Sequence, residues 1–317
     1  MSKKKSIKPR EYVLEGLIPK DYPTTLFAGG GVGKSYLGVF FGINACIGGR
    51  TFLNKQFYKE PLNTLYLDYE LDEDDITHRA IKISNGLGLE EIPDNFFYKS
   101  PEVNISQLIH KLPNYIKAYD IKFIVIDSMG ASGLDSMDEK AVIYIYSKLP
   151  KLGVTSLLLD HQSKQQPQEY EKTKTPYGSA YKSFLSRSVI HMVQKGKNDN
   201  CSTVQLLHKK TNFGKECDNE FIDFIFDEEN NSVFIVESTS KFNKDNQIQL
   251  VQDYIQKAYD EGKELIQSDL IEKLKDSIKK DKLRELLEQG KGKYWNIIEG
   301  KINNSKIYVP LNADLES

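Results

Sequence analysis

The residues best equipped for chemistry lie near the start of the 317-residue chain, in Ala28-Gly29-Gly30-Gly31-Val32-Gly33-Lys34-Ser35. Consecutive glycines let backbone N–H groups converge on phosphate oxygens, and a helix that begins there adds its positive end. In the pattern G-x-x-x-x-G-K-[ST] a lysine reaches the β- and γ-phosphates and a hydroxyl ligates Mg2+. Lys34 and Ser35 fill those roles here, with Ala28 where glycine is usual. The expected ATP-binding set is Gly29, Gly30, Gly31, Val32, Gly33, Lys34, Ser35 and Tyr36.

A second run, Phe123-Ile124-Val125-Ile126-Asp127, is a buried-strand pattern ending in a carboxylate. Beside a phosphate loop, Asp127 would hold the Mg2+ water shell together with Ser35. Many enzymes with this arrangement place a glutamate directly after the aspartate, but Ser128 follows here. The base that orients a hydrolytic water must then come from elsewhere. Glu70, at the end of Leu65-Tyr66-Leu67-Asp68-Tyr69-Glu70, competes for that role with Asp68 and Asp72.

These residues need a scaffold that brings strand ends together. Thr24 to Ala28, Thr64 to Tyr69, Lys122 to Asp127 and Val154 to Asp160 read as buried strands. Amphipathic stretches near 34–47, 72–87, 104–119 and 138–151 separate them, which predicts an α/β fold with a mainly parallel sheet covered on both faces. From 189 to 237 four more strands follow one another, Val189 to Gln194, Thr203 to His208, Phe221 to Phe226 and Val233 to Glu237, and should extend the sheet as antiparallel hairpins. The expected organisation is a basic tail over 1–15, an ATPase domain over 16–240, a polar linker over 241–247 and a small domain over 248–317.

Taken together, the phosphate loop, the acidic residue after the second strand and Ile126-Asp127-Ser128 resemble the RecA-like ATPases. Within them the first 237 residues look most like the RepA-type hexameric replicative helicases of plasmids and phages, relatives of the DnaB helicases. Tyr66 to Glu70 followed by His78-Arg79 resembles that family's catalytic-glutamate segment, which implies Glu70 as the base. Leu159-Asp160-His161-Gln162-Ser163-Lys164 resembles its histidine sensor motif, and Tyr177-Gly178-Ser179-Ala180 leading to Arg187 resembles the segment closing its DNA-facing loop. Leu207 to Gly214 resembles the stretch that offers a basic finger to a phosphate, with Lys209 and Lys210 both candidates. The resemblance implies a catalytic set of Glu70, Lys34, His161, Arg187, Lys210 and Lys209, an ATP site completed by a neighbouring subunit, and a ring, possibly a hexamer. It also places DNA-contacting loops at 130–137, where glycine and serine suit a mobile loop, and at 162–176, where Lys164, Lys172 and Lys174 could meet phosphates of single-stranded DNA.

The C-terminal stretch reads as three helices and a hairpin, and resembles a winged helix. Gln249 to Ala258, then a helix capped by Ser268 with Leu270, Ile271 and Leu274 inward, then a stripe of Leu283, Leu286 and Leu287 ended by Gly290, precede Trp295 and Ile307 to Val309. Between residues 273 and 306 there are ten Lys or Arg against five acidic residues, and Lys279, Lys280, Lys282, Arg284 and Lys293 form its candidate contact set for duplex DNA.

Whole-chain charge is close to balanced, at -2, so any nucleic-acid surface must be local. Cys46, Cys201 and Cys217 lack ligand spacing, which excludes a zinc framework and fits a reducing cytoplasm. No membrane span is expected. The leading expectation is a Mg-ATP-driven DNA motor of plasmid, phage or mobile-element replication, with an ATP-gated DNA-binding regulator or helicase loader, or a RadA-like recombination ATPase, as alternatives.

Overall fold

In the computed structural model the described residues are 9–162, 175–197, 200–238, 240–275, 278, 280–300 and 306–313, with no side chains described over 240–246. The chain divides into two compact units, Met1–Ser238 and Thr239–Ser317.

The first unit begins with β1 (Tyr12–Leu14) and β2 (Ile18–Pro19), then β3 (Pro23–Ala28), α1 (Lys34–Ile47), β4 (Thr51–Phe52), β5 (Lys55–Gln56) and β6 (Thr64–Asp68). It continues through α2 (Glu73–Gly86), β7 (Phe96–Lys99), α3 (Ile105–Leu108), α4 (Leu112–Ala118), β8 (Phe123–Asp127), α5 (Glu139–Lys148) and β9 (Thr155–His161). After α6 (Tyr181–Leu185) come β10 (Ser188–Lys197), β11 (Cys201–Thr211), β12 (Glu220–Asp227) and β13 (Ser232–Glu237). Nine strands form one sheet in the order β13-β12-β11-β10-β3-β9-β8-β6-β7. From β10 to β7 the pairs are parallel, and β10 to β13 pair antiparallel. The α/β alternation and the hairpin extension both follow the sequence pattern.

Strand alternation splits the core into two layers. Phe123 and Val125 of β8 pack with Leu37, Phe41 and Ile76 under α1 and α2, whereas Ile124 and Ile126 pack with Ile105, Leu112 and Ile145 under α3 to α5. The central strand β8 is buried on both faces, and Phe123 to Ile126 are apolar without a break. Helix α1 lies close on the sheet because Gly38 and Gly42 share one face; a Cβ on either would stand 2.8 Å from Leu159 or Phe96.

Four expectations about the elements need correction. The basic tail does not run to residue 15: β1 belongs to the core, with Val13 and Leu14 fully buried and Tyr58 N–H donating to Val13 O at 2.9 Å. The amphipathic stretch 104–119 breaks into α3 and α4, because Pro113 in the first turn of α4 has no N–H to continue a helix. The segment 130–137 is not open throughout: Ser132, Leu134 and Ser136 are buried, while the residues between them and Met137 are exposed. The polar stretch 241–247 is helical: α7 (Ser240–Asp260) starts before it, since Lys and Gln propagate a helix whose buried face begins at Ile248.

The second unit is α7, α8 (Gln267–Leu274), α9 (Lys280–Gly290) and the hairpin β14 (Trp295–Glu299) with β15 (Lys306–Pro310). A single bridge joins Ile266 to Ile307. Its core holds Val251, Ile255, Leu270, Leu274, Leu283, Leu287 and Trp295, and the Trp295 indole N–H donates to Leu287 O at 3.2 Å. Ser268 is inside α8 instead of capping it; Asp269 accepts from Ile266 N–H at 3.3 Å and serves the helix start. Among the described residues no helix is long and apolar enough to cross a membrane.

Candidate functional site

The parallel register fixes which strand ends meet. Ala28 pairs with His161 across β3 and β9, and Asp68 pairs with Asp127 across β6 and β8. The phosphate loop, Asp127, Glu70 and His161 therefore rise from one edge of the sheet, where α/β folds bind ligands.

The loop turns on two glycines with positive φ, Gly31 at 71° and Gly33 at 103°. At Gly33 an added Cβ would also stand 3.1 Å from the Phe224 ring, so only glycine suits the step into α1. Lys34 is buried and its ammonium donates to Gly29 O at 3.1 Å. Burial lowers its pKa, while the carboxylates of Asp127, Glu70 and Asp160 oppose that effect. Tyr36 lies under the Arg79 guanidinium, 4.8 Å from its ring centre.

Asp127 is buried, and Tyr66 donates its hydroxyl to Oδ2 at 2.6 Å. Burial pushes the carboxyl up; Ser35 and Tyr66 pull it back. Its Oδ1 has no hydrogen-bond partner although it is buried, and Ser35 is close enough to act on it. An orphaned carboxylate oxygen beside a hydroxyl fits Mg2+, a hard cation that prefers oxygen ligands. Among the described residues no group of three or more His, Cys, Asp or Glu could hold a metal by itself. The ion would thus be shared with phosphate oxygens and water, through Ser35 and Asp127.

The three competing carboxylates have separate jobs. Asp68 is fully buried and its Oδ1 accepts from Glu70 N–H at 2.8 Å and Leu71 N–H at 3.0 Å, so it holds the turn. Asp72 caps α2, accepting from Asp75 N–H at 3.0 Å. Glu70 alone presents its carboxylate to the site: Ser128 donates to Oε1, and His161 Nε2 lies 3.1 Å from the same oxygen. Burial raises the Glu70 pKa, but the hydrogen bonds from Ser128 and His161 together with the charges of His161 and Lys34 make the net shift downward.

The basic residues are arranged differently from the sequence expectation. Lys210 donates to three carbonyls of its own chain, Ser183, Phe184 and Ser186, at 2.7 to 2.9 Å. That ammonium caps the end of α6 and is engaged within the subunit. Strict alternation fails at this point, because Val189 pairs with Lys210 and Ile190 with His208, leaving Lys209 in a bulge. Arg187 is half-buried, and its charge depresses the Lys210 pKa after burial. Lys164, Lys172, Lys174 and Lys279 lie outside the described residues. In the second unit Lys280 is exposed, Lys282 pairs with Glu285 at 3.0 Å, and Arg284 lies 3.6 Å from Asp281. Lys293 lies over the Tyr294 ring at 4.9 Å. Two of those cations are thus paired with acids of the same stretch, and its net basic excess is unchanged.

Sequence reasoning missed Tyr66, Ser128 and the buried pair Asp160–Lys182. Ser128 stood where a glutamate was sought, and Tyr66 and Asp160 lay inside quoted motifs, but none of them was given a role; Lys182 carried no signal.

No curated protein matches the chain. Among solved structures, the KaiC-like protein PH0186 from the hyperthermophilic archaeon Pyrococcus horikoshii OT3 is 16% identical, with 72% of this chain and 98% of that chain covered at a TM-score of 0.49. The profile of the AAA domain family (AAA_25) matches residues 2–167, just over half of the chain, and spans the phosphate loop, Glu70, Asp127 and His161. With those residues gathered at one sheet edge, the chain belongs to the AAA domain family of P-loop ATPases.

Proposed function

We propose that this protein hydrolyses Mg-ATP and uses it to drive movement along single-stranded DNA, as a ring-forming motor of the RepA type. The observation that carries the reading is the convergence on Glu70. A carboxylate held anionic by Ser128 and His161 stands at the strand edge shared with Lys34 and Asp127. Such a group can accept a proton from, and orient, a water attacking the γ-phosphate. Lys34 would hold the phosphates, and Ser35 with Asp127 would hold Mg2+, which neutralises the charge developing on the leaving oxygens. His161 would sense the γ-phosphate through Glu70. Arg187 and the Lys209–Lys210 pair are the basic groups proposed for a neighbouring nucleotide; within its own subunit Lys210 holds carbonyls at the end of α6.

Turnover measured with and without oligo-dT tests the reading. ATP hydrolysis should rise with single-stranded DNA, and Lys34→Ala should abolish it; unchanged turnover in that variant sinks the site assignment. A second reading, an ATP-gated regulator or helicase loader, is supported by the separate unit of three helices and a hairpin, an order that resembles a winged helix. Nucleotide-dependent binding to duplex DNA without stimulation of turnover would select it.

A further inference from the structure

Asp160 and Lys182 form an ion pair in which neither side chain is exposed, with Nζ 2.6 Å from Oδ2. Asp160 reaches Lys34 through its charge, but neither member of the pair has been given a part in holding phosphate or Mg2+. Burying two charges costs desolvation that their attraction barely repays, so such a pair is weak as a stability device. Its position in the fold points to another role.

Asp160 precedes His161 at the end of β9, and its Oδ1 accepts from His161 N–H at 2.9 Å. The carboxylate thereby grips the backbone of the histidine that faces Glu70. Lys182, in the first turn of α6, donates also to Ser136 Oγ at 3.0 Å. Ser136 ends the segment that follows Asp127 and Ser128, and its carbonyl accepts from Ser179 N–H at 2.7 Å. Gly178 lies so close that a Cβ there would stand 2.1 Å from Ser136 O. On the other side His161 O accepts from Tyr177 N–H at 2.7 Å. An unbroken polar path therefore runs from Glu70 through His161, Asp160 and Lys182 to Ser136 and Ser179.

We propose that Asp160 and Lys182 are positioning residues that transmit the state of the nucleotide site to the segments 130–137 and 175–182. Apolar contacts slide past one another, whereas a short buried ion pair with fixed hydrogen bonds either moves as a unit or breaks. A shift of His161 on phosphate binding must carry Asp160, and with it the ammonium that anchors Ser136. The inference rests on reading the Lys34, Glu70 and Asp127 site as a nucleotide site, and does not depend on DNA being the partner.

Hydrogen exchange on the full chain, with and without a non-hydrolysable ATP analogue and Mg2+, tests this, with the analogue's affinity measured in parallel by fluorescence titration. In the wild type the analogue should slow exchange in both segments by about tenfold. The paired change Lys182→Met with Asp160→Asn leaves no lone buried charge; it should bind the analogue with unchanged affinity and lose that protection. Ser136→Ala, which removes only the loop-side hydrogen bond, should lose protection over 130–137 while the rest of the response persists. A merely structural pair would alter melting without separating affinity from transmission. The inference is overturned if either variant transmits as the wild type does, or if the wild type binds and neither segment responds, and the nucleotide reading then survives. Absence of binding by the wild type overturns both.

Discussion

Asp68 and Glu70 leave the same strand end and yet titrate in opposite directions. Burial pushes Asp68 up to about 6, whereas the Ser128 and His161 hydrogen bonds, with the charges of His161 and Lys34, hold Glu70 below the ordinary carboxylate value despite its own burial. Glu70 is the one kept anionic, while Asp68 is occupied with two backbone amides. Glu70→Gln should retain ATP binding and lower turnover by about 10²- to 10⁴-fold. Asp68→Asn keeps an acceptor for the turn and should change turnover by only a few fold; if the two variants behave the other way round, Asp68 is the base. Because the Glu70 pKa is lowered, its anionic form persists as pH falls. Turnover should show no acidic limb from this group above about pH 4.5, measured as kcat against pH.

Elements decide what single residues can reach. The bulge at Lys209 breaks the alternation of β11, and the carbonyl end of α6 engages Lys210, so alternation alone does not place the two lysines. The same strand carries a pH-sensitive support. His208 Nδ1 accepts from Cys217 N–H at 2.9 Å, so Nε2 carries the proton toward Ser188 Oγ, 3.0 Å away. Burial lowers its pKa to about 4, below the ordinary 6.5. Between those values the unfolded chain binds more protons than the folded one, so stability is full above 6.5 and falls as pH drops toward 4. The loss should reach about 3 kcal/mol. Urea unfolding at pH 7 and at pH 4.5 should show it, and His208→Gln should flatten that interval.

The whole molecule is two units with separate cores, one built on the nine-stranded sheet and the other on Leu270, Leu287 and Trp295. Every residue assigned to the nucleotide site lies before Ser238. A chain ending at Ser238 should therefore melt cooperatively and bind an ATP analogue within about twofold of the full chain. Residues 239–317 should fold alone, read by circular dichroism. If the second unit contacts duplex DNA, the shortened chain should lose duplex retention in a gel-shift measurement while its response to oligo-dT persists.

Local pattern was enough for much of this protein. Glycines with a lysine and a serine between a strand and a helix mark a phosphate site, because backbone geometry there needs no distant partner. Apolar runs at strand length imply a sheet buried on both faces, and successive strands imply its antiparallel extension. Tertiary structure decided what depended on residues far apart in the chain. Only the folded side-chain contacts show that Glu70, and not Asp68 or Asp72, meets Ser128 and His161. Only folding reveals that Lys182 is buried against Asp160 and that Lys210, on β11, caps the end of α6. Charge and spacing say that a lysine is basic; whether it meets solvent, a carboxylate or a row of carbonyls is set by what the fold packs against it.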